Sequence, residues 1–147
     1  MKVYTQEDFD KFEKDKHGYI ICQSGHYAAI KSFPAFCRFG ERCSFGECCS
    51  FGEHCSFGEY CSFGECCSFG EGCLYCLFQF NKLINLNGVY AFPIRIYLNT
   101  KAKEYYLSIG CENFATLDEC RTMSKERSED NDNIINIVDA IIKEALK

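Results

Sequence analysis

One six-residue unit is written six times between Phe39 and Cys73, as FGERCS, FGECCS, FGEHCS, FGEYCS, FGECCS and FGEGC. Its heads are Phe39, Phe45, Phe51, Phe57, Phe63 and Phe69, and a degenerate seventh unit precedes them with Phe33 and Cys37 in the matching places. Fixed self-similarity outweighs local propensity, because it means one small structural unit repeated and stacked. Within the unit, Cys stands two residues before the next Phe. Residues two apart on an extended chain share a face. Cys43 and Phe45 are therefore expected to point inward and Ser44 outward. Gly after each Phe suits a tight corner with an unusual backbone angle. Glu and a variable residue then fill that corner, where a charge stays hydrated. Each unit reads as a short strand and a turn that cannot bury its own Phe. Stacking buries it, placing Phe on Phe and Cys on Cys.

The pattern apolar-Gly-x-x-small-x resembles the hexapeptide repeat of left-handed parallel β-helix proteins. The resemblance implies three units per triangular coil of about 18 residues. Two departures are Phe in place of the usual aliphatic residue and Cys in the small-residue place. The left hand comes from the resemblance alone, since parallel crossovers are ordinarily right-handed. The fold expected is mainly β: a left-handed parallel β-helix with an N-terminal helix/strand cap and a C-terminal hairpin-plus-two-helix module. The divisions fall at residues 1–32, 33–78 and 79–147. The segments GYIICQSGHYA and SIGCENFATLDEC, the latter between a hairpin and a helix, resemble small bacterial and phage hexapeptide-repeat proteins of uncharacterised function. That likeness brings an architecture without an activity.

Composition narrows the partners. A net charge of −5 disfavours nonspecific binding to nucleic acid or to an anionic membrane. No apolar run is long enough to span a bilayer. The first residues, MKVYTQEDFDKFEKDK, are acidic and polar, unlike a secretory signal, so a cytoplasmic protein is expected. Thirteen cysteines raise disulfides and zinc. Seven of them, at the inward repeat position, read as small buried hydrophobes. Cys48 and Cys66 differ, since both hold the variable corner place. They stand three units apart and would stack in a three-unit coil, as reduced thiols, a disulfide or a joint metal contact. The Cys73-Leu-Tyr-Cys76 spacing lacks the second pair of a zinc site, so no metal is expected.

The flanks read as follows. Thr5 with Asp8 opens a helix bearing Phe9 and Phe12, expected to end near His17-Gly18. A strand over 19–22, a turn at Ser24-Gly25 and a second strand over 27–30 would cover the open end of the first coil. After the repeat, 74–80 stays strand-like with Tyr75 in the place of the next Phe, and 85–88 reads as a turn. A strand over 91–98 puts Phe92, Ile94, Ile96 and Leu98 on one face and Arg95 and Tyr97 on the other, with Pro93 marking an edge or a strand start. A polar turn over 99–104 leads to a return strand over 105–111. Thr116 with Glu119 forms a capping box for a helix through Glu126. A charged link over 128–132 precedes an Ile-rich amphipathic helix over 133–146.

Function is expected at the corners. Glu41, Glu47, Glu53, Glu59, Glu65 and Glu71 would form three columns, Glu41 over Glu59, Glu47 over Glu65 and Glu53 over Glu71. Regular carboxylates on a stiff rod resemble the charge pattern of a nucleic-acid backbone, which suits the basic groove of a DNA- or RNA-binding protein. His54 and Tyr60, from the variable column, complete the expected partner-binding set. The reading is a non-enzymatic binding module without cofactor, whose acidic prism engages a basic protein surface. In a phage-like setting it would inhibit a host nucleic-acid-binding defence protein such as a CRISPR or restriction effector. The plainer explanation is that corner charges keep a rod soluble. A scaffold that assembles into homo-oligomers through 133–146 is the alternative. An acyl-CoA-dependent acyltransferase is a further one. It is disfavoured by a short, uninterrupted repeat and by the lack of a His on an extruded loop.

Overall fold

A computed structural model describes residues 1–86, 88, 90, 92–110, 112–126 and 132–147. It is mainly β, with parallel sheets and two C-terminal helices, in two compact units, Met1–Asn81 and Lys82–Lys147.

In the first unit the repeat pairs with itself. Strands β2 (Ser32–Phe33), β4 (Ser50–Phe51) and β6 (Ser68–Phe69) form one parallel ladder, matching Ser32, Ser50 and Ser68 in register. Strands β1 (Ile20–Cys22), β3 (Cys37–Phe39), β5 (Ser56–Phe57) and β7 (Cys73–Tyr75) form a second, and β8 (Phe78–Phe80) closes it antiparallel to β7. Single parallel bridges link Val3, His26, Ser44 and Ser62 into a third. His26 and Ser44 stand 18 residues apart, and the same step joins the other repeat pairs.

The side-chain alternation follows the two-residue rule. Phe33, Phe39, Phe45, Phe51, Phe57 and Phe63 are buried, as are Cys37, Cys43, Cys49, Cys55, Cys61 and Cys73, while Cys67 and Phe69 at the last rung are half-buried. Rings one rung apart lie face to face: Phe33 and Phe51 at 4.9 Å, Phe39 and Phe57 at 5.3 Å, Phe45 and Phe63 at 5.2 Å, all within 8° of parallel. Successive rings along the chain meet edge to face, Phe39 with Phe45 at 4.8 Å and 88°, Phe45 with Phe51 at 4.9 Å and 87°. The ladder fixes the face-to-face spacing near the strand separation of about 4.8 Å. The edge-to-face contacts then supply the arrangement that ring quadrupoles favour, worth about 0.5–1.5 kcal/mol per pair beyond burial.

Tyr75 takes the next ring place as expected, pairing in register with Phe57 and fully buried. At the other end Tyr27 stacks on Phe45 at 5.6 Å and Tyr4 on Tyr27 at 4.9 Å, so the N-terminal segment extends one ring column.

Several local expectations change. The capping box at Thr5 and Asp8 is present, but α1 spans only Gln6–Asp10. The chain turns away there because Lys14 bridges Ile20 and the Asp15 carboxylate accepts the N–H groups of His17 and Tyr19. No second strand forms over 27–30. Tyr27 and Ile30 close a turn instead, and their side chains are buried.

The repeat glycines also serve a different purpose from the one expected. The unusual φ belongs to the variable residue: +58° at Arg42, +55° at Cys48, +57° at His54, +63° at Tyr60 and at Cys66, +78° at Gly72. Gly is needed because the backbone of the neighbouring rung passes directly over it. A Cβ on Gly64 would lie 2.6 Å from the Glu47 nitrogen, and one on Gly70 would lie 2.7 Å from the Glu53 nitrogen.

In the second unit the hairpin is part of a larger antiparallel sheet, ordered β12 (Glu112–Phe114), β11 (Glu104–Ile109), β10 (Ile94–Asn99), β9 (Lys82–Leu86). The turn expected over 85–88 therefore starts later, since Asn85 and Leu86 belong to β9. Pro93 directly precedes β10, while Phe92 is 57% exposed rather than on the inward face. Tyr97, expected outward, is buried like Ile96 and Leu98, so both faces of β10 are covered. Residues 87, 89, 91, 111 and 127–131 lie outside the described residues, and with them parts of the turn over 85–88, both hairpin strand ends and most of the link over 128–132.

Helix α2 (Leu117–Glu126) starts with the Thr116 hydroxyl accepting the Glu119 N–H at 3.2 Å, while the Glu119 carboxylate accepts the Ala115 N–H at 2.9 Å. Helix α3 (Asp132–Ala145) packs Ile135, Val138 and Ile142 into one core with Ile94, Ile96, Leu98 and Leu107 of the sheet.

Replacing Gly64 with Ala should cost roughly 1–3 kcal/mol by overpacking. Ser50→Ala, at an exposed repeat position, should stay within about 0.5 kcal/mol. Urea denaturation of the two variants beside the parent measures both.

Candidate functional site

The corner is a two-residue turn of Glu and the variable residue, set between the Phe-Gly pair and the next inward Cys. Left-handed backbone costs an ordinary residue about 1–2 kcal/mol. A rung-to-rung hydrogen bond offsets it: the N–H of Arg42 donates to the Glu59 carbonyl at 2.9 Å, that of Cys48 to Glu65 at 2.8 Å and that of His54 to Glu71 at 2.9 Å. Phe36 makes the same bond to Glu53 at 2.9 Å, so the degenerate first unit obeys the same geometry.

These bonds put the backbones of the six glutamates in three columns, Glu41 with Glu59, Glu47 with Glu65 and Glu53 with Glu71. All six side chains are exposed. Like charges one rung apart repel by about 1 kcal/mol in water, a cost that salt lowers further.

The variable residues form columns of their own. Phe36 stacks on His54 at 5.3 Å and 17°, and a Cβ on Gly72 would collide with the His54 ring. The Arg42 guanidinium sits 5.1 Å from the Tyr60 ring centre, a cation–π contact. Cys48 and Cys66, both exposed, make the third pair. His54 and Tyr60 are exposed as the sequence suggests, yet each already has a neighbour along its column. Arg42 places a cation beside the Glu41 column. Lys31 donates to the Glu47 carbonyl at 3.0 Å and places another beside the Glu47 column.

The role of the inward thiols was not legible beforehand. Cys61 donates its S–H to the Gly40 carbonyl, Cys67 to Gly46 and Cys73 to Gly52, each at 3.4 Å. Cys43 and Cys49 use the carbonyls of Gly40 and Gly46 in the same way from their own rung, at 3.3 and 3.2 Å. Those carbonyls face the interior, where an unpaired acceptor is costly. An Ala would fill similar space and satisfy none of them; the invariance of Cys at this place was the available signal.

Neighbouring sulfurs also shift one another's thiols: Cys22 pushes the Cys37 thiol up to about 12, and Cys37 pushes that of Cys55 up to about 12. Burial pushes Cys49 up to about 11. Cys61 is raised further by the neighbouring Cys43 sulfur and by burial, whereas Cys43 is lowered by Cys61. Among the described residues no group of three or more His, Cys, Asp or Glu is arranged to hold a metal ion.

Compared with known proteins, the chain matches no protein-family model, no curated protein and no solved structure.

Two tests follow from this geometry. Unfolded cysteines ionise near pH 8.5. The raised thiols contribute stability that is complete below that value and is lost as pH climbs towards the folded values of about 11–12. The urea midpoint of the reduced protein should therefore fall between about pH 8.5 and about pH 10. At the corner, Tyr60→Val should lower stability by about 1–2 kcal/mol, because a β-branched residue resists positive φ, while Tyr60→Asn should be close to neutral. Thermal unfolding of both variants reads the difference.

Proposed function

We propose that this protein is a non-enzymatic binding module whose acidic corners engage the basic surface of a protein partner. In this reading the repeat is a left-handed parallel β-helix of three-sided coils. Three ladders with a common 18-residue step support the three-sided coil; the handedness rests on the likeness of the repeat. The observation that carries the function is that all six glutamates are exposed and their backbones are held in three registered columns. A rigid array of carboxylates suits a groove built to follow phosphates, because complementary potential raises encounter rates and fixes register. The partner class proposed is a nucleic-acid-binding protein, with inhibition of a host defence effector by a phage-type protein as the setting. The reading includes a cytoplasmic location, where thiols stay reduced; among the described residues no helix is long and apolar enough to cross a membrane.

Two features weigh on the alternatives. Assembly through the C-terminal helix would need its apolar face. That face is taken up by the sheet of its own unit, leaving Ile137 as the exposed member. An acyltransferase of this architecture would need a loop extruded between coils, and the registered steps run from Ser32 to Tyr75 without one.

The test uses a purified DNA-binding effector and labelled duplex DNA in competition with this protein. The protein should displace DNA less well as salt rises. The combined variant Glu47→Gln, Glu53→Gln, Glu59→Gln, Glu65→Gln should lose at least about tenfold in affinity, or about 1.4 kcal/mol. Binding that ignores both salt and the four substitutions rules the reading out.

A further inference from the structure

The corner that carries the Glu47–Glu65 column also holds the exposed cysteine pair. The ladder is registered on both sides of it, by Ser44 against Ser62 before the corner and Ser50 against Ser68 after it. Inside the corner the Cys48 N–H donates to the Glu65 carbonyl at 2.8 Å, and both cysteines share the left-handed backbone, φ +55° and +63°. Cys48 and Cys66 are therefore equivalent residues on adjacent rungs. Parallel neighbours stand about 4.8 Å apart, inside the Cα separation of about 4.4–6.8 Å that a disulfide spans. Both thiols are exposed, whereas the inward cysteines of the same two units are not: Cys49 is buried and bonds the Gly46 carbonyl at 3.2 Å, and half-buried Cys67 bonds that carbonyl at 3.4 Å.

We propose that Cys48 and Cys66 form a reversible dithiol–disulfide site, a covalent staple across adjacent corners that closes by exchange with a low-molecular-weight disulfide such as oxidised glutathione. One thiolate of the pair attacks the small disulfide, forming a mixed disulfide and expelling one small thiolate. The second protein thiolate then attacks the protein sulfur of that mixed disulfide and expels the second small thiolate. The two protons lost by the cysteines end on the two small thiols. The protein is oxidised by two electrons and the small disulfide is reduced by the same two. The charge of the Cys48 sulfur, together with hydrogen bonding to it, raises the Cys66 thiol above its ordinary value. Glu47 and Glu65 slow the attack by like charge. Lys31, bonded to the Glu47 carbonyl at 3.0 Å, is the cation at this corner. The site is independent of the acidic-surface reading, since it needs no partner protein.

The experiment treats the reduced, full-length protein with oxidised glutathione under native conditions, blocks the remaining thiols and measures the intact mass. Cleavage after glutamate releases the same hexapeptide, Cys-Cys-Ser-Phe-Gly-Glu, from 48–53 and from 66–71. Fragmentation of the linked pair then shows which sulfurs are joined. The expected result is a monomer that has lost two hydrogens, with first cysteine joined to first cysteine and a raised urea midpoint. Cys48→Ser and Cys66→Ser should each stop at a single glutathione adduct. The proposal is overturned if the parent protein keeps two adducts, forms covalent dimers, joins Cys49 or Cys67 instead, or fails to react. The parent result decides the matter even if a variant misfolds.

Discussion

The first unit depends on one match of lengths. Hydrogen bonding sets adjacent strands about 4.8 Å apart, and a phenyl ring stacked on its copy tolerates that spacing. Phe33 on Phe51 and Phe51 on Phe69 lie at 4.9 and 5.2 Å, both at 5°. Face-to-face stacking at this distance is not the favoured geometry for benzene rings. The structure compensates by turning neighbouring columns through a right angle, so each ring also presents an edge to the faces beside it. Phe51 meets Phe45 at 87° and Phe57 at 89°. A repeat of aliphatic residues would fill such a core by shape alone. A repeat of phenylalanine adds direction, and direction fixes the register of every rung.

That core leaves little room elsewhere. Rungs stacked this closely bring backbone over backbone, so the residue after each Phe has no space for a Cβ. The same closeness turns the carbonyls of those glycines towards the interior, and the cysteines satisfy them. Gly and Cys in this repeat are therefore two parts of one solution: the glycine admits the neighbouring rung, and the thiol caps the carbonyl so exposed. Burial and neighbouring sulfurs raise the thiols of Cys37, Cys49 and Cys55, while exposure leaves Cys48 and Cys66 as the corner thiols open to chemistry.

With the interior so constrained, variation is confined to the corners. There the backbone demands positive φ, yet arginine, cysteine, histidine and tyrosine occupy the place. Arg42, Cys48 and His54 are held by an N–H bond to the next rung, and Tyr60 by the Arg42 guanidinium over its ring. The glutamate beside each has an exposed side chain, so a regular charge pattern survives. The two proposals use different parts of this edge, the acidic columns for a basic partner and the cysteine pair for redox chemistry.

The period of six, the inward Phe and Cys, the outward Ser and the corner Glu were all legible in the sequence. A strict repeat forces every unit into the same environment, so position in the unit stands for position in space. The Thr116 hydroxyl cap of α2 and the apolar stripe of α3 were legible because they rest on local chemistry. The purpose of the glycines and the choice of Cys over Ala were not, since the first arises from backbone about 18 residues away and the second from carbonyls turned inward by the stacked rungs. The fourth-strand partnership of 82–86 and the burial of Tyr97 were hidden for the same reason. Each depends on which distant segment comes to lie alongside, and only tertiary packing decides that.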